Sequence, residues 1–482
     1  MTTAEGRRAA ALAALLSLTA CVGTAMAAPD PTAVAVAVRN LGADHDQAMA
    51  AVYVLQAGGE RAAKRILDAW PSLSLLAQKR ALGALSQLAK HYHAAIEALV
   101  EATRSDDEDL RNRALATLQR ATPLGREGLI LLLSDPLVGD RAALSLARAQ
   151  PELAIEPLLE AMGDQGGSDR PGLRNALGTA AQRSRKDVEP QLRAWLGEEP
   201  TASTVGSAAL ALAALDEHRD VITSFVEYAA PKATGFPTEW RLLQSAVAAG
   251  PSDEIDRWVR SKLHGPREWM LRRAAVDAIT ARGHREDARA SLRDPYPRVR
   301  ARAATALSGD SDTLVERATM ARRDAWPMVR AAAVRSLRIE GDATPVIIAS
   351  VDDPMSVVRV AAIEQLSASS RDAGWERIHR RLRARDEWPR VTAAAIGYVV
   401  AHCRTDAIDA LLRLIMQAAP SDTPTQDLNN AARAIGALRV LGTPEAEAAL
   451  AQLRGADNVP PTLKIALDEP LPEGAPCAPE GR

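Results

Sequence analysis

The sequence predicts an all-α fold, an α-solenoid in which antiparallel helical hairpins stack into a superhelix. Three observations predict it. A short motif recurs at intervals of about 30 residues. It consists of an Asp, a Val five residues later and, in most copies, an Arg directly after the Val. Each copy leads into an Ala-rich segment with apolar residues every three to four positions, which is the spacing of one helix face. Aromatic residues make up only 3% of the chain, too few for a large β-sandwich or barrel core.

The four clearest copies each mark the start of a helix. They read DPYPRVRARAATAL, DAWPMVRAAAVRSL, DPMSVVRVAAIEQL and DEWPRVTAAAIGYV, beginning at Asp294, Asp324, Asp353 and Asp386. Three of them place Pro two residues before the Val, and Pro favours the first position of a helix. The preceding Asp can accept hydrogen bonds from unpaired backbone N–H groups at the helix start. A single hairpin cannot bury its apolar face alone, so the repeats are expected to stack.

These motifs resemble the HEAT-repeat superfamily, in the short Ala-rich form also found in phycobilin-lyase-like proteins. The resemblance is clear over residues 266–400, and helical spacing continues over residues 31–455. The stretch 196–260 fits worst, with loops expected at 201–207 and 231–237. The resemblance implies a structural ladder in which the Arg of one repeat bonds the Asp of the next. Its residues would be Asp294, Arg300, Asp324, Arg330, Asp353, Arg359 and Asp386. The alternative is that the Asp series forms an acidic site, or that the Arg series binds an anion.

Composition excludes several classes of protein. The 482 residues carry 59 basic and 61 acidic side chains, a net charge of −2, so the chain as a whole has no basic field for nucleic acid. Three Cys are too few for a disulfide-rich scaffold or for a zinc site of four thiolates.

The first 20 residues have the pattern of a signal peptide. Arg7 and Arg8 precede an uncharged, Ala-rich segment at 9–20 that is too short to span a bilayer. Leu18–Cys21 resembles a bacterial lipobox, which implies a lipid on Cys21 and a tether over residues 21–30. The first alternative is cleavage after Ala27, within an Ala-x-Ala site, which would release a soluble exported protein. The second is a cytoplasmic protein whose first helix is apolar.

A catalytic, metal or cofactor site is not expected. GxSxG, HExxH, CxxC, GxGxxG and GxxxxGK[ST] are all absent from the sequence. His91 and His93 are expected to face solvent, and the segment 44–46 to cap a helix. Cys403 is interpreted as a small buried hydrophobe, with a Cys403–Cys477 disulfide as the alternative if the protein is exported. Residues 456–482 are expected to form an extended tail because they are rich in Pro.

Aromatic residues recur on one side of the repeats. Tyr296, Trp326 and Trp388 lie three residues before the repeat Val, Met355 takes that position in the remaining repeat, and Trp269 lies in the repeat before. We call these five positions the aromatic edge. Either each ring packs on the neighbouring turn, or the exposed rings bind a partner.

The sequence therefore favours a non-catalytic scaffold in the bacterial cell envelope that binds a protein or peptide. The inner wall of the solenoid would present Arg302, Arg335 and Glu364 as candidate contacts. The alternatives are an enzyme or enzyme subunit of the HEAT-like lyase type, and a nucleic-acid-binding protein, against which the charge balance counts. No cofactor is expected, and Cys21 would provide the contact with a membrane.

Overall fold

The computed structural model describes residues 29–121, 123–163, 170–215, 217–265, 268–418, 424–456, 459–468 and 477. Within these ranges the chain forms 28 α-helices, a few short 3-10 turns and no strand. The signal-peptide residues, Cys21 and most of the tether therefore lie outside the described residues. Contacts divide the chain into two compact units, which meet between Val221 and Ile222.

Unit 1 consists of helical hairpins in series. Each helix packs against its successor or against the next helix but one; α1 with α3, α4 with α6, and α10 with α12 are examples. Its helices are α1 (Pro31–Asn40), α2 (His45–Ala57), α3 (Gly59–Ala69), α4 (Leu75–Leu88), α5 (His93–Ala102), α6 (Glu108–Arg120), α7 (Leu124–Leu131), α8 (Gly139–Ala149), α9 (Pro151–Gly163), α10 (Pro171–Arg183), α11 (Arg185–Leu196) and α12 (Ala202–Ala213). The following helix, α13 (Arg219–Ala229), contains the boundary between the units.

Side chains cap several helices of unit 1. Asp30, Asp44 and Asp107 each accept a hydrogen bond from the backbone N–H three residues later, which satisfies a donor that the helix itself cannot. The capping role expected for Asp44 is confirmed. The loop expected at 201–207 is wrong, because Thr201 is itself a cap for α12 and accepts from the N–H of Thr204.

Unit 2 contains the clearest repeats. Its helices are α14 (Phe236–Ala246), α15 (Asp253–Lys262), α16 (Trp269–Ala281), α17 (Arg285–Arg289), α18 (Pro297–Ala306), α19 (Leu314–Arg323), α20 (Pro327–Ser336), α21 (Ala343–Ser350), α22 (Ser356–Ser367), α23 (Trp375–Arg383), α24 (Pro389–Ala401), α25 (Ile408–Gln417), α26 (Thr425–Leu441), α27 (Pro444–Arg454) and α28 (Pro461–Asp468). The even-numbered helices from α14 to α26 pack side by side in one row, and we call them the second helices. This serial stacking is the α-solenoid that the sequence predicts.

The repeat positions form the core of unit 2. The four repeat Val residues and the four apolar residues eight positions later are all fully buried: Val299, Val329, Val358, Val391, Leu307, Leu337, Leu366 and Val399. Small Ala residues fill the rest of the buried face, for example Ala303 and Ala333. Burying a Val or Leu side chain contributes about 1.5–3 kcal/mol, so the repeated motif stabilises the stack throughout its length.

The end of the chain differs from the expected extended tail. Residues 461–468 form α28, which packs against α26, with Pro461 at the start where proline is compatible with a helix. Among the described residues, no helix has both the length and the apolar character that a membrane-spanning segment requires.

Candidate functional site

A ladder of ion pairs joins the repeats of unit 2. Arg330, in the first turn of α20, donates two hydrogen bonds to the carboxylate of Asp353, at 2.8 Å and 2.9 Å. The same guanidinium donates to the main-chain oxygen of Asp324, in the turn before its own helix, at 2.9 Å. Asp353 also accepts from the backbone N–H of Met355 at 2.8 Å. One Arg therefore holds its own turn and the turn of the next repeat together.

Two more pairs have the same geometry. Arg300 donates to Asp324 at 2.8 Å and 2.9 Å, and Arg272 donates to Asp294 at 2.7 Å and 3.0 Å. Arg272 was not among the predicted ladder residues. Its signal in the sequence is a weaker copy of the motif, in which Leu271 takes the place of the Val.

The assignment of Asp386 to the ladder is wrong. Arg359 pairs instead with Glu387 at 2.5 Å, and Glu387 also accepts from the backbone N–H of Trp388 at 2.9 Å. Glu387 is one residue closer to the helix than the Asp of the other repeats, and its additional methylene group lets the carboxylate reach the Arg. Asp386 is exposed to solvent.

The ladder is more buried than an ordinary surface ion pair. The side chains of Arg330 and Asp353 are each only 11% exposed. The hydrogen bonds to Asp353 raise the pKa of the Arg330 guanidinium, against the opposing effect of burial. Because a buried charge that loses its partner stays desolvated, removal of one member should cost about 2–3 kcal/mol, more than for an exposed pair.

The ladder aligns the starts of the second helices and with them the aromatic edge. Tyr296, Trp326, Met355 and Trp388 are the residues that directly precede α18, α20, α22 and α24. The side chains of Trp326, Met355 and Trp388 are 54%, 46% and 64% exposed. Three adjacent repeats therefore each present a large exposed apolar residue at the same point, directly before a second helix of unit 2.

At the other end of the aromatic edge, the rings pack against each other. Trp269 and Tyr296 stack on each other, with ring centroids 4.8 Å apart, and the guanidinium of Arg298 lies 5.0 Å from the Trp269 ring. These two rings follow the interpretation in which each ring packs on its neighbour. Trp326 and Trp388 are each more than half exposed, and they are the members available to a partner.

The exposed face of the second helices continues this surface. Met328 and Val357, which directly precede the repeat Val, are 40% and 42% exposed. The three candidate contacts of the predicted inner wall lie on this face but form ion pairs across helices: Arg302 with Asp277, and Arg335 with Glu364 at 3.5 Å. The latter pair is solvent-exposed and long, so it is weak.

Two clefts open on this face. The first, the apolar cleft, has a volume of about 400 Å³ and is lined chiefly by Phe236, Trp240, Trp269 and Met270. The second, the arginine cleft, has a volume of about 480 Å³ and crosses α20, α22, α24 and α26. Its lining consists of Arg335, Ser356, Val357, Val360, Glu364, Arg390, Ala393, Ala394 and Arg433. Two of these residues, Arg335 and Glu364, were expected as inner-wall contacts, whereas Arg390 and Arg433 were not, because they come from helices that are distant in the chain.

A disulfide links Cys403, two residues after the end of α24, to Cys477, so the interpretation of Cys403 as a small buried hydrophobe is wrong. Nearby, the Tyr398 hydroxyl donates to Asp372 at 2.6 Å. Burial, followed by this hydrogen bond, raises the pKa of Tyr398 well above its ordinary range. This cluster fixes the end of α24 rather than exposing a reactive group.

The remaining predicted positions do not form a site. His91 and His93 are exposed, and His93 lies 3.3 Å from Glu127, a solvent-exposed pair. Within the described ranges, no group of three or more His, Cys, Asp or Glu is placed to hold a metal ion. Cys21 lies outside the described residues.

No protein-family model matches the sequence, and no curated protein matches it. Among solved structures, the chain is similar to that of Kap121p in its complex with Nup53p, with a TM-score of 0.46 and 11% sequence identity. That alignment covers 88% of this chain and 56% of the Kap121p chain. A second similar structure is an engineered protein, with a TM-score of 0.23, 18% identity, and coverage of 90% of this chain and 97% of the other. The assignment to the α-solenoids rests on the stacking of helices within each unit.

Proposed function

We propose that this protein is a non-catalytic scaffold of the bacterial cell envelope that binds a protein or peptide partner through unit 2. The observation that carries the proposal is the exposure of Trp326, Met355 and Trp388 in adjacent repeats. Trp is prominent among residues that dominate binding energy at interfaces, and contiguous exposed apolar surface is typical of interaction sites.

The geometry of the aromatic edge favours a role in binding a partner over a role in packing within the protein. The backbone N–H groups of Trp326 and Trp388 each donate to a carboxylate of the ladder, which fixes the backbone from which the two rings project. A rigid anchor loses little conformational entropy when a partner binds. Second helices that pack at about 8–10 Å place the exposed residues of α20, α22 and α24 within reach of one short segment of a partner.

Binding through the aromatic edge is tested by photo-crosslinking in cells. A benzoylphenylalanine replaces Trp326, Trp388 or Val315, one position in each strain. Val315 is the matched control, since it is 75% exposed but lies on α19, outside the row of second helices. The proposal expects a discrete crosslinked product from position 388 and none from position 315. Absence of a product from both Trp326 and Trp388, with the protein folded and expressed, would contradict it.

The envelope location rests on the signal-peptide pattern and the lipobox resemblance at Leu18–Cys21. The Cys403–Cys477 disulfide supports it, since disulfides persist in oxidising compartments and are rare in the cytosol. Labelling cells with a fatty acid tests the anchor. Wild-type protein should carry the label and Cys21→Ser should not; an unlabelled wild type, or a labelled variant, would exclude lipidation at this residue.

A further inference from the structure

The arginine cleft combines free positive charge with apolar surface. Arg390 and Arg433 are exposed, and neither forms an ion pair with any residue that the structure describes. Among the residues that the structure describes, the third arginine, Arg335, forms an ion pair only with Glu364, at 3.5 Å. Three arginines against one glutamate give the lining of the cleft a net positive charge, although the chain as a whole carries a charge of −2.

The apolar part of the cleft lies between these arginines. Val357 is 42% exposed and Val360 is half-buried beside it on α22, while Ala393 and Ala394 line the neighbouring helix α24. Small side chains on α24 allow a partner backbone to come close to the helix. A ligand that fits this surface needs negative groups separated by apolar ones.

We propose that the arginine cleft binds an acidic segment of a partner polypeptide, a proposal that rests on the function proposed above. One carboxylate of the segment pairs with Arg335 and another with Arg390 or Arg433, and apolar side chains between them pack on Val357 and Val360 of α22, which lies between α20 and α24. The planar guanidinium group offers a fork of donors that matches a carboxylate. Four helices at 8–10 Å spacing span the length of an extended segment of about eight residues.

The surroundings favour a peptide over nucleic acid. The exposed Val357 and the neighbouring Val360 offer nothing to a phosphate backbone, whereas they match the apolar side chains of a peptide. A single small anion would leave most of the cleft unfilled, since the three arginines come from α20, α24 and α26.

The test begins with a phage library of random 12-residue peptides, selected on the immobilised full chain at low salt. The strongest peptide is then labelled, and its affinity is measured by fluorescence anisotropy for wild type, Arg390→Glu/Arg433→Glu and the neutral Arg390→Gln/Arg433→Gln. The matched control is Arg322→Glu/Arg323→Glu, two exposed arginines at the end of α19 that do not line the cleft. Circular dichroism and urea unfolding check that each variant is folded. A 12-residue oligothymidine serves as the nucleic-acid probe.

The proposal expects the enriched peptides to contain at least two Asp or Glu residues with apolar residues between them. Charge reversal in the cleft should weaken binding by about tenfold or more, because the new glutamates repel the carboxylates of the peptide. The neutral variant should weaken binding by less, because the carboxylates then only lose their partners. The control should bind as wild type does. A peptide with Lys in place of its acidic residues should bind the charge-reversed protein better than it binds wild type.

Other results would overturn the inference. These are no enrichment, enrichment without acidic residues, unchanged affinity in the charge-reversed variant, or tighter binding of the oligothymidine that is lost in that variant. The crosslinking experiment at Trp326 and Trp388 shows whether such a result overturns only the acidic-segment inference or the proposed scaffold function as well. If a partner is captured there but the peptides are not acidic, only the acidic-segment inference fails; if nothing is captured at Trp326 or Trp388, the scaffold function fails too.

Discussion

Arg330 and Asp353 form a two-point ion pair that connects the first turn of α20 with the turn before α22. The pair is almost fully buried although it lies near the edge of the stack, with each side chain 11% exposed. It therefore contributes to the energy of the interface between repeats as well as to their register.

The first prediction concerns this pair. Arg330→Ala should lower the free energy of unfolding by about 2–3 kcal/mol, because Asp353 would remain buried without its partner. Asp353→Asn in the same chain should recover part of the loss, and the two changes should couple by about 1 kcal/mol or more in a double-mutant cycle. Urea unfolding followed by circular dichroism measures it. Strict additivity of the two changes would show that the pair contributes no interaction energy.

The second prediction distinguishes two adjacent carboxylates. Glu387→Gln should destabilise the protein by about 1–3 kcal/mol, since Arg359 would lose its charged partner in a site where both side chains are under 10% exposed. Asp386→Asn should change stability by less than about 0.5 kcal/mol, because its side chain is exposed. Thermal unfolding of both variants measures this. If Asp386→Asn destabilised the protein more than Glu387→Gln, Asp386 rather than Glu387 would be the ladder residue.

The third prediction concerns pH. Burial alone would raise the pKa of Asp352, but hydrogen bonds from Arg381 and Arg377 outweigh it and hold the pKa below the ordinary value of 3.8. A carboxylate whose pKa falls on folding stabilises the protein above its unfolded pKa, and this contribution is lost as the pH falls through the lower, folded value.

Asp352→Asn should therefore be less stable than wild type at pH 7, by about 1 kcal/mol for this partly exposed group. The difference should shrink as the pH falls below about 4. Unfolding by urea at pH 7, 4 and 3 measures it, with Asp386→Asn as the exposed control. A difference that stays constant over this range would exclude the ionisation of Asp352 as its source.

The fourth prediction concerns the disulfide. Cys403 and Cys477 are separated by 74 residues, so the bond restricts a long loop of the unfolded chain and should contribute about 4 kcal/mol. A reducing agent should lower the melting temperature of wild type. The variant Cys403→Ser/Cys477→Ser should melt at that lower temperature with or without reductant. Equal melting temperatures for oxidised and reduced wild type would mean that the bond does not stabilise the native state.

The sequence predicts those parts of the structure that depend on local periodicity. The repeat Val at 299, 329, 358 and 391 identifies the core, because a residue at the same point of every helix faces the same neighbour. The ladder follows from the resemblance to HEAT repeats, which implies that the Arg of one repeat bonds the Asp of the next. The prediction of the core needs only the geometry of one repeat.

Other features depend on distances that the sequence does not contain. Asp386 and Glu387 are adjacent carboxylates, and side-chain length decides which one reaches Arg359. Arg335 and Arg433 line one cleft although about a hundred residues separate them, and α26 carries no copy of the motif to reveal the connection. The helix that starts at Ala202 was missed because Ser, Thr and Gly near its start are also typical of loops.

The most direct test of the scaffold function combines binding and stability in one experiment. A benzoylphenylalanine at Met355, between the two exposed tryptophans, reports on a partner bound at the aromatic edge. The crosslinked yield is compared in cells with and without Trp326→Ala/Trp388→Ala, and urea unfolding of the same purified proteins measures their stability. The account predicts that the yield falls by about tenfold or more while the unfolding free energy changes by less than about 1 kcal/mol, as expected for exposed hot-spot residues. An unchanged yield, or a loss of more than about 2 kcal/mol of stability, would contradict it and would identify the edge as packing surface.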